Sequence, residues 1–166
     1  HKEIAFEKEI CEYLGQRGWI YESHAADHYS REFALYPPDL NAWIKQSFPD
    51  AWDELAMKYG SQAESFLLKS VRRQLDQRGT LDAIRQGIDV YGLKSALKLA
   101  VFKPAPGLSQ DNLHRYNSNK LRVARQIKYS IHNGKCIDIV LFLNGIPVAT
   151  IELKTDNCQA IGDAVY

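Results

Sequence analysis

Two apolar runs, residues 137–143 and 146–153, meet across Asn144-Gly145. That junction constrains the fold more than any other feature of the chain. Aliphatic and β-branched residues fill both runs, and Asn-Gly readily takes the positive-φ conformation that a tight hairpin turn requires. The runs are therefore predicted to pair as antiparallel strands. Pairing folds Asp138 back onto Glu152-Leu153-Lys154, so two acids and a lysine from distant positions are gathered on one hairpin.

Register decides which side chains meet, because neighbours on a strand point to opposite faces. A two-residue turn centred on Asn144 and Gly145 pairs Leu143 with Ile146 and puts Asp138 and Glu152 on opposite faces. A three-residue loop, with a positive-φ bulge at or beside Gly145, pairs Leu143 with Pro147 instead. Asp138 then stands opposite Glu152, with Lys154 two residues along on the same face. Ile137, Ile139, Leu141, Ala149, Ile151 and Leu153 fill the other face. This second register gives one continuous aliphatic surface and clusters the ionisable groups, so the three-residue loop is the expectation.

Facing carboxylates repel unless a cation lies between them or one holds a proton. One or two acids, completed by waters and a phosphate, are the usual protein contribution to a Mg²⁺ site. A lysine beside such an ion can position a water and offset charge growing on a phosphate. The plain alternative is a cross-strand acid pair with Lys154 as a surface salt bridge.

Asp138 with Glu152-Leu153-Lys154 resembles the PD-(D/E)XK nuclease signature. The longer string Ile137-Asp138-Ile139-Val140-Leu141-Phe142-Leu143-Asn144-Gly145-Ile146-Pro147-Val148-Ala149-Thr150-Ile151-Glu152-Leu153-Lys154 is similar to the N-terminal nuclease region of the R (restriction, motor) subunit of type I restriction–modification enzymes. Lys120-Leu121-Arg122-Val123-Ala124-Arg125-Gln126, Val101-Phe102-Lys103-Pro104 and the segment from Gln159 to Asp163-Ala164 are similar to it as well. The likeness is firm over residues 80–166 and looser before them. Ile137 stands where the signature's name places a proline.

The resemblance implies an α/β, restriction-endonuclease-like mixed sheet flanked by helices. It also implies Mg²⁺-dependent hydrolysis of double-stranded DNA, with Mn²⁺ as a substitute ion. Asp138 and Glu152 would hold the metal, with the Leu153 carbonyl in support, and Lys154 would position the attacking water. Target recognition and methylation would belong to separate specificity and methyltransferase subunits. ATP would act only in motor domains that follow in the same subunit; this chain has no Walker-type glycine-rich loop.

The N-terminus adds a third acid. Residues 2–17 read as a helix closed by Gly18, with Ile4, Phe6, Ile10, Cys11 and Leu14 as its apolar stripe. Glu7 projects into that stripe, where an acid is costly to bury without a partner. It can reach solvent, pair with an arginine, or, as the resemblance implies for a first-helix glutamate, face the metal. Glu7 is therefore the expected third carboxylate of the site, counted with the metal ligands and the catalytic residues.

The net charge of +1 hides an uneven distribution. Residues 112–137 contain no acid, yet include Arg115, Lys120, Arg122, Arg125, Lys128 and Lys135. Lys120, Arg122 and Lys128 share one strand face and are the expected contacts to DNA phosphates, since phosphate affinity follows local fields rather than net charge. Arg125 lies on the opposite face with Leu121, Val123, Ile127 and Tyr129, and is expected to be partly buried in an ion pair.

At 166 residues, 45% apolar and 25% charged, the composition fits a globular chain with one core. No apolar run approaches the ~20 residues that span a membrane. Cys11, Cys136 and Cys158 lack metal-ligand spacing and read as reduced thiols of a cytoplasmic protein. Pro37-Pro38-Asp39 starts a helix, Ser61 to Glu64 forms a capping box for another, and Thr80 with Asp82 opens a third. Strands are expected at 19–22, 98–103, 120–131, 136–143 and 147–154, then a final helix. Residues 1–166 thus read as one nuclease domain, cut short at its C-terminus, with a helical insertion at 37–87. Two other readings are a non-catalytic DNA-binding or assembly module on a nuclease-like fold, and a repair or junction-resolving nuclease of the same superfamily.

Overall fold

The computed structural model describes residues 2–105, 107 and 109–154. Helix α1 (Lys2–Gly15) leads into a short strand β1 (Ile20–Tyr21) and a 3-10 turn (Ala25–His28). Four helices follow: α2 (Pro37–Ser47), α3 (Pro49–Tyr59), α4 (Ala63–Arg78) and α5 (Thr80–Gln86). After α6 (Gln110–Asn117) come β2 (Leu121–Lys128), β3 (Cys136–Leu143) and β4 (Ile146–Ile151). The strands lie in the order β1-β2-β3-β4, with β1 parallel to β2 and the other pairs antiparallel. This is the mixed α/β architecture the sequence leads one to expect. Among the described residues no helix is long and apolar enough to cross a membrane.

Three apolar clusters hold these elements together. Cys11 of α1 packs on Val123 and Ile139 at one face of the sheet, with Ile10, Leu14, Leu141 and Ile151 around them. Ala25, Tyr36, Ala124, Ile127, Val140 and Phe142 form a second cluster. The largest is helical, built on residues such as Leu40, Trp43, Leu55, Leu67 and Ile88, and it takes in Ile146 from the hairpin. The stripe expected on α1 is narrower than its composition suggests. Ile4 and Phe6 are more than half exposed, whereas Glu7 is buried.

The hairpin reaches the expected pairing of Asp138 with Glu152 by a different route. Asn144 and Gly145 both have positive φ, 49° and 80°, and Leu143 pairs directly with Ile146, so the loop has two residues rather than three. The extra residue sits within the strand. Phe142 pairs with Pro147 but Leu141 pairs with Ala149, which leaves Val148 as a bulge. Pro147 has no N–H to give the ladder, so an interruption beside it costs little. Beyond the bulge, Ile139 pairs with Ile151, and continuing that register by one residue brings Asp138 opposite Glu152.

Two expected features are absent. Residues 98–103 form no strand, because side-chain amides take up their backbone groups. Asn119 both donates to the Val101 carbonyl (2.7 Å) and accepts from its N–H (3.4 Å), and Asn144 donates to the Leu99 carbonyl (2.9 Å). The Ser61/Glu64 capping box does not form either: a 3-10 turn (Gly60–Gln62) precedes α4, whose N-cap Gln62 makes no side-chain bond. The expected final helix, including Gln159, Asp163 and Ala164, lies outside the described residues.

Gly145 fixes the hairpin against α2. Its carbonyl accepts from the Tyr36 N–H (2.8 Å), and a Cβ there would collide with the Tyr36 carbonyl oxygen and lie 2.8 Å from Leu40 N. Gly145→Ala is expected to cost about 2 kcal/mol or more, from backbone strain plus overlap. Equilibrium urea unfolding of both proteins measures it, and a loss below about 0.5 kcal/mol contradicts the tight docking.

Candidate metal centre

The hairpin and β2 together assemble a polar cluster at one end of the sheet. Asp138 is held by its neighbours: Oδ2 accepts the Leu153 N–H at 2.7 Å, and Oδ1 accepts from Gln126 Nε2 at 3.4 Å. Glu152 shares a hydrogen bond with Asp138, and its carboxyl titrates above the usual glutamate range. Desolvation contributes most to this rise, followed by the Asp138 charge and the shared hydrogen bond, while the Lys154 ammonium opposes it. Asp138, Glu152 and Lys154 are therefore brought together, as the register argument requires.

Glu7 also arrives at this cluster, but as a fully engaged anion. Only 2% of it is exposed. Its Oε2 accepts from Arg125 Nε and a terminal guanidinium nitrogen, at 3.0 and 2.8 Å, and its Oε1 accepts from Gln126 Nε2 at 2.8 Å. Arg125 is thus the partly buried ion-pair residue expected from its position. Glu7 meets Asp138 only through the amide of Gln126, which donates to both. Gln126 can do this because its own backbone is left-handed, with φ at 55° in the middle of β2. The ladder is kept on either side, Arg125 with Ile139 and Ile127 with Ile137. Strict alternation is lost, however: Ala124 and Ile127, three residues apart, pack in the same cluster.

The donor set suits a hard divalent ion. Two neighbouring carboxylates, one with its titration raised, are donors of the kind that Mg²⁺ or Mn²⁺ takes, with waters completing the shell. Among the described residues no group of three or more His, Cys, Asp or Glu side chains is placed to hold a metal together. Of the three acids expected to hold a metal, Glu7 is taken up by Arg125 and Gln126, which leaves Asp138 and Glu152 as the candidate pair.

The expected DNA contacts need correction. Arg122 is buried, with Asp39 bound in a fork at 2.6 and 3.0 Å and Glu22 at 2.7 Å. Its guanidinium also lies over the Tyr36 ring, 4.4 Å from the centroid. Burial alone would lower its pKa, but the bonds and charges of its partners raise it. Breaking a buried pair by removing one partner costs about 3–5 kcal/mol, so Arg122 ties β2 to α2 and is not free for phosphate. β2 is flanked by β1 and β3, and its face at Arg122 is covered by α2. Lys120 precedes β2 at the end near the hairpin tip, where its backbone exchanges hydrogen bonds with Asn144. Eight residues of strand, roughly 25 Å, separate it from Lys128, which lies at the Asp138 end.

Lys128 has a partner that the sequence did not disclose. With Arg31, Tyr29, Ala26, Asp27 and Gln126 it lines a cleft of about 410 Å³. Arg31 and Lys128 are both exposed, and neither makes an ion pair within the described residues. Gln126 lines this cleft too and bonds Asp138, so the two basic side chains share a cleft with a neighbour of the carboxylate pair. Arg31 belongs to an irregular segment closed by a single bridge between Ser30 and Leu35. No periodicity or motif marks it.

Comparison with known proteins bears on the whole chain. The family model described as type I restriction enzyme R protein N terminus (HSDR_N) matches residues 2–166. No curated protein and no solved structure matches the chain.

The acid pair makes a prediction about stability. A carboxyl whose folded pKa is raised stabilises the fold fully below its unfolded pKa, and that stability is lost as pH climbs through the folded value. Glu152→Gln removes this loss. In metal-free buffer the variant should melt higher than the parent at pH ~7, with the gap closing by pH ~4, below the ordinary Glu pKa. Thermal unfolding at both pH values measures it; equal melting temperatures at neutral pH would mean that the two carboxylates do not strain one another.

Proposed function

The chain belongs to the family of type I restriction enzyme R protein N termini, and on that premise we propose that Asp138, Glu152 and Lys154 form a Mg²⁺-dependent site for hydrolysis of DNA phosphodiesters. The observation that carries this reading is the contact between Asp138 and Glu152, with the titration of Glu152 shifted upwards. Such a pair gains most by accepting a divalent cation.

Each residue then has a definite task. The Leu153 N–H keeps Asp138 Oδ2 in place, so the ligand needs little reorganisation. Glu152, whose titration is raised by burial and the Asp138 charge, would be held ionised by a bound ion. Lys154, whose charge already reaches Glu152, orients a water and balances charge that develops on the phosphate. A bound Mg²⁺ supplies Lewis-acid polarisation of the phosphoryl oxygen and a more acidic water. Glu7 supports the site by fixing Arg125 and Gln126. Lys128 and Arg31 hold phosphates of the strand as it approaches the pair. Motor domains of the same subunit, and methyltransferase and specificity subunits, are the proposed protein partners. Target choice and ATP use rest with them.

Two experiments test this. Lys154→Ala should lower DNA cleavage by the assembled enzyme by at least about 100-fold, with Mn²⁺ affinity within about threefold of the parent. Undiminished cleavage would remove Lys154 from the chemistry. Arg31→Glu and Lys128→Glu should each weaken DNA binding and lower the salt slope of the affinity by about one. Arg31 and Lys128 would be excluded from the DNA path by unchanged slopes. If metal binds but no variant affects cleavage, the assembly-module reading takes precedence.

A further inference from the structure

Gln126 spends unfavourable backbone geometry to put one amide nitrogen between two carboxylates. A non-glycine residue with φ near 55° is costly, by about 1–2 kcal/mol, and rare in the middle of a strand. The pairing of Arg125 and Ile127 shows that the ladder is kept on either side of this residue. Its result is that Nε2 donates to Glu7 at 2.8 Å and to Asp138 at 3.4 Å. The two acceptor oxygens can be no farther apart than the sum of those lengths. Two anions at that spacing repel, and the shared donor, with Arg125 on the Glu7 side, offsets that repulsion.

We propose that Gln126 is a positioning residue whose amide stands in for the cation while the site is empty of metal. The inference rests on the reading of Asp138 and Glu152 as metal ligands. The two bonds are unequal, and the inequality sets the direction of the change. The short bond to Glu7 is retained, because Glu7 is buried and anchored by Arg125 as well. The long bond to Asp138 Oδ1 is the one released when that oxygen turns to an ion. Gln126 therefore competes weakly with metal, and it protects the fold from the repulsion of an unneutralised site. Because the same side chain lines the cleft that holds Arg31 and Lys128, release of Asp138 also alters a wall of the path proposed for DNA.

Mn²⁺ titration by calorimetry, with melting temperatures recorded with and without Mn²⁺, tests the proposal on the parent, Gln126→Ala and Gln126→Gly. The glycine variant relieves backbone strain and guards against a folding defect in the alanine variant. Losing the amide should tighten Mn²⁺ binding by about three- to tenfold, the scale of one weak bond to a charged group. The amide-less proteins should also gain more in melting temperature from Mn²⁺ than the parent does. A purely structural Gln126 would lower melting equally with and without ion and leave affinity unchanged, and either result overturns the proposal. Weaker Mn²⁺ binding also overturns it, because it would make Gln126 a ligand. Asp138→Asn separates the two levels: if the parent binds no Mn²⁺, or binds it as well after Asp138→Asn, the metal-site reading itself fails.

Discussion

The Asn144 side chain is wholly buried at the tip of the hairpin and has three hydrogen bonds there. It accepts from the Lys120 N–H and donates to the Leu99 carbonyl and to Asn119. A buried amide left without these partners would cost several kcal/mol, so the tip has one seat in the molecule. Gly145 meets Tyr36 and α2 at the same point. With the tip fixed on the helical core, the Val148 bulge sets the register of everything beyond it. Asp138 faces Glu152, rather than missing it by one residue, because of these two features together.

Charge is handled differently in the scaffold and at the cluster. Arg122 has two acids and a tyrosine ring around it, and Arg125 has Glu7. These pairs are complementary, and they cross-link β2 to α2, to the segment after β1, and to α1. The Asp138–Glu152 contact joins like charges, with Lys154 only partly offsetting them. Local conflict of this kind, in an otherwise consistent structure, is the pattern of functional or strained sites, and it falls at the place proposed to bind metal. The left-handed backbone of Gln126, which bonds to Asp138, adds a second unfavourable feature at the same place.

Much of this was legible in the residues. Asn144-Gly145 between two aliphatic runs announced the hairpin, and aliphatic continuity selected the pairing of Asp138 with Glu152. The bulge was not legible, because a loop of three and a turn of two followed by one extra strand residue give the same downstream register. The buried position of Glu7 followed from helical periodicity, but its saturation by Arg125 and Gln126 depends on tertiary contacts. Arg122 shows the limit most clearly. Strand alternation placed it correctly on the face opposite Arg125, yet alternation says nothing of what covers that face, and Asp39 lies 83 residues away. Arg31 and Gln126 carried no signal because a turn and a single positive φ leave no periodic trace.

The proposed site depends on Asp138 and Glu152 facing each other, so that the upward shift of the Glu152 titration is relieved when a divalent ion binds. Counting protons released on Mn²⁺ binding tests it most directly, by calorimetry in buffers of different ionisation enthalpy at a pH just above the ordinary glutamate range. The account predicts binding accompanied by proton release, with the release absent in Glu152→Gln. Binding that liberates no proton, or liberates as much from Glu152→Gln as from the parent, would contradict it.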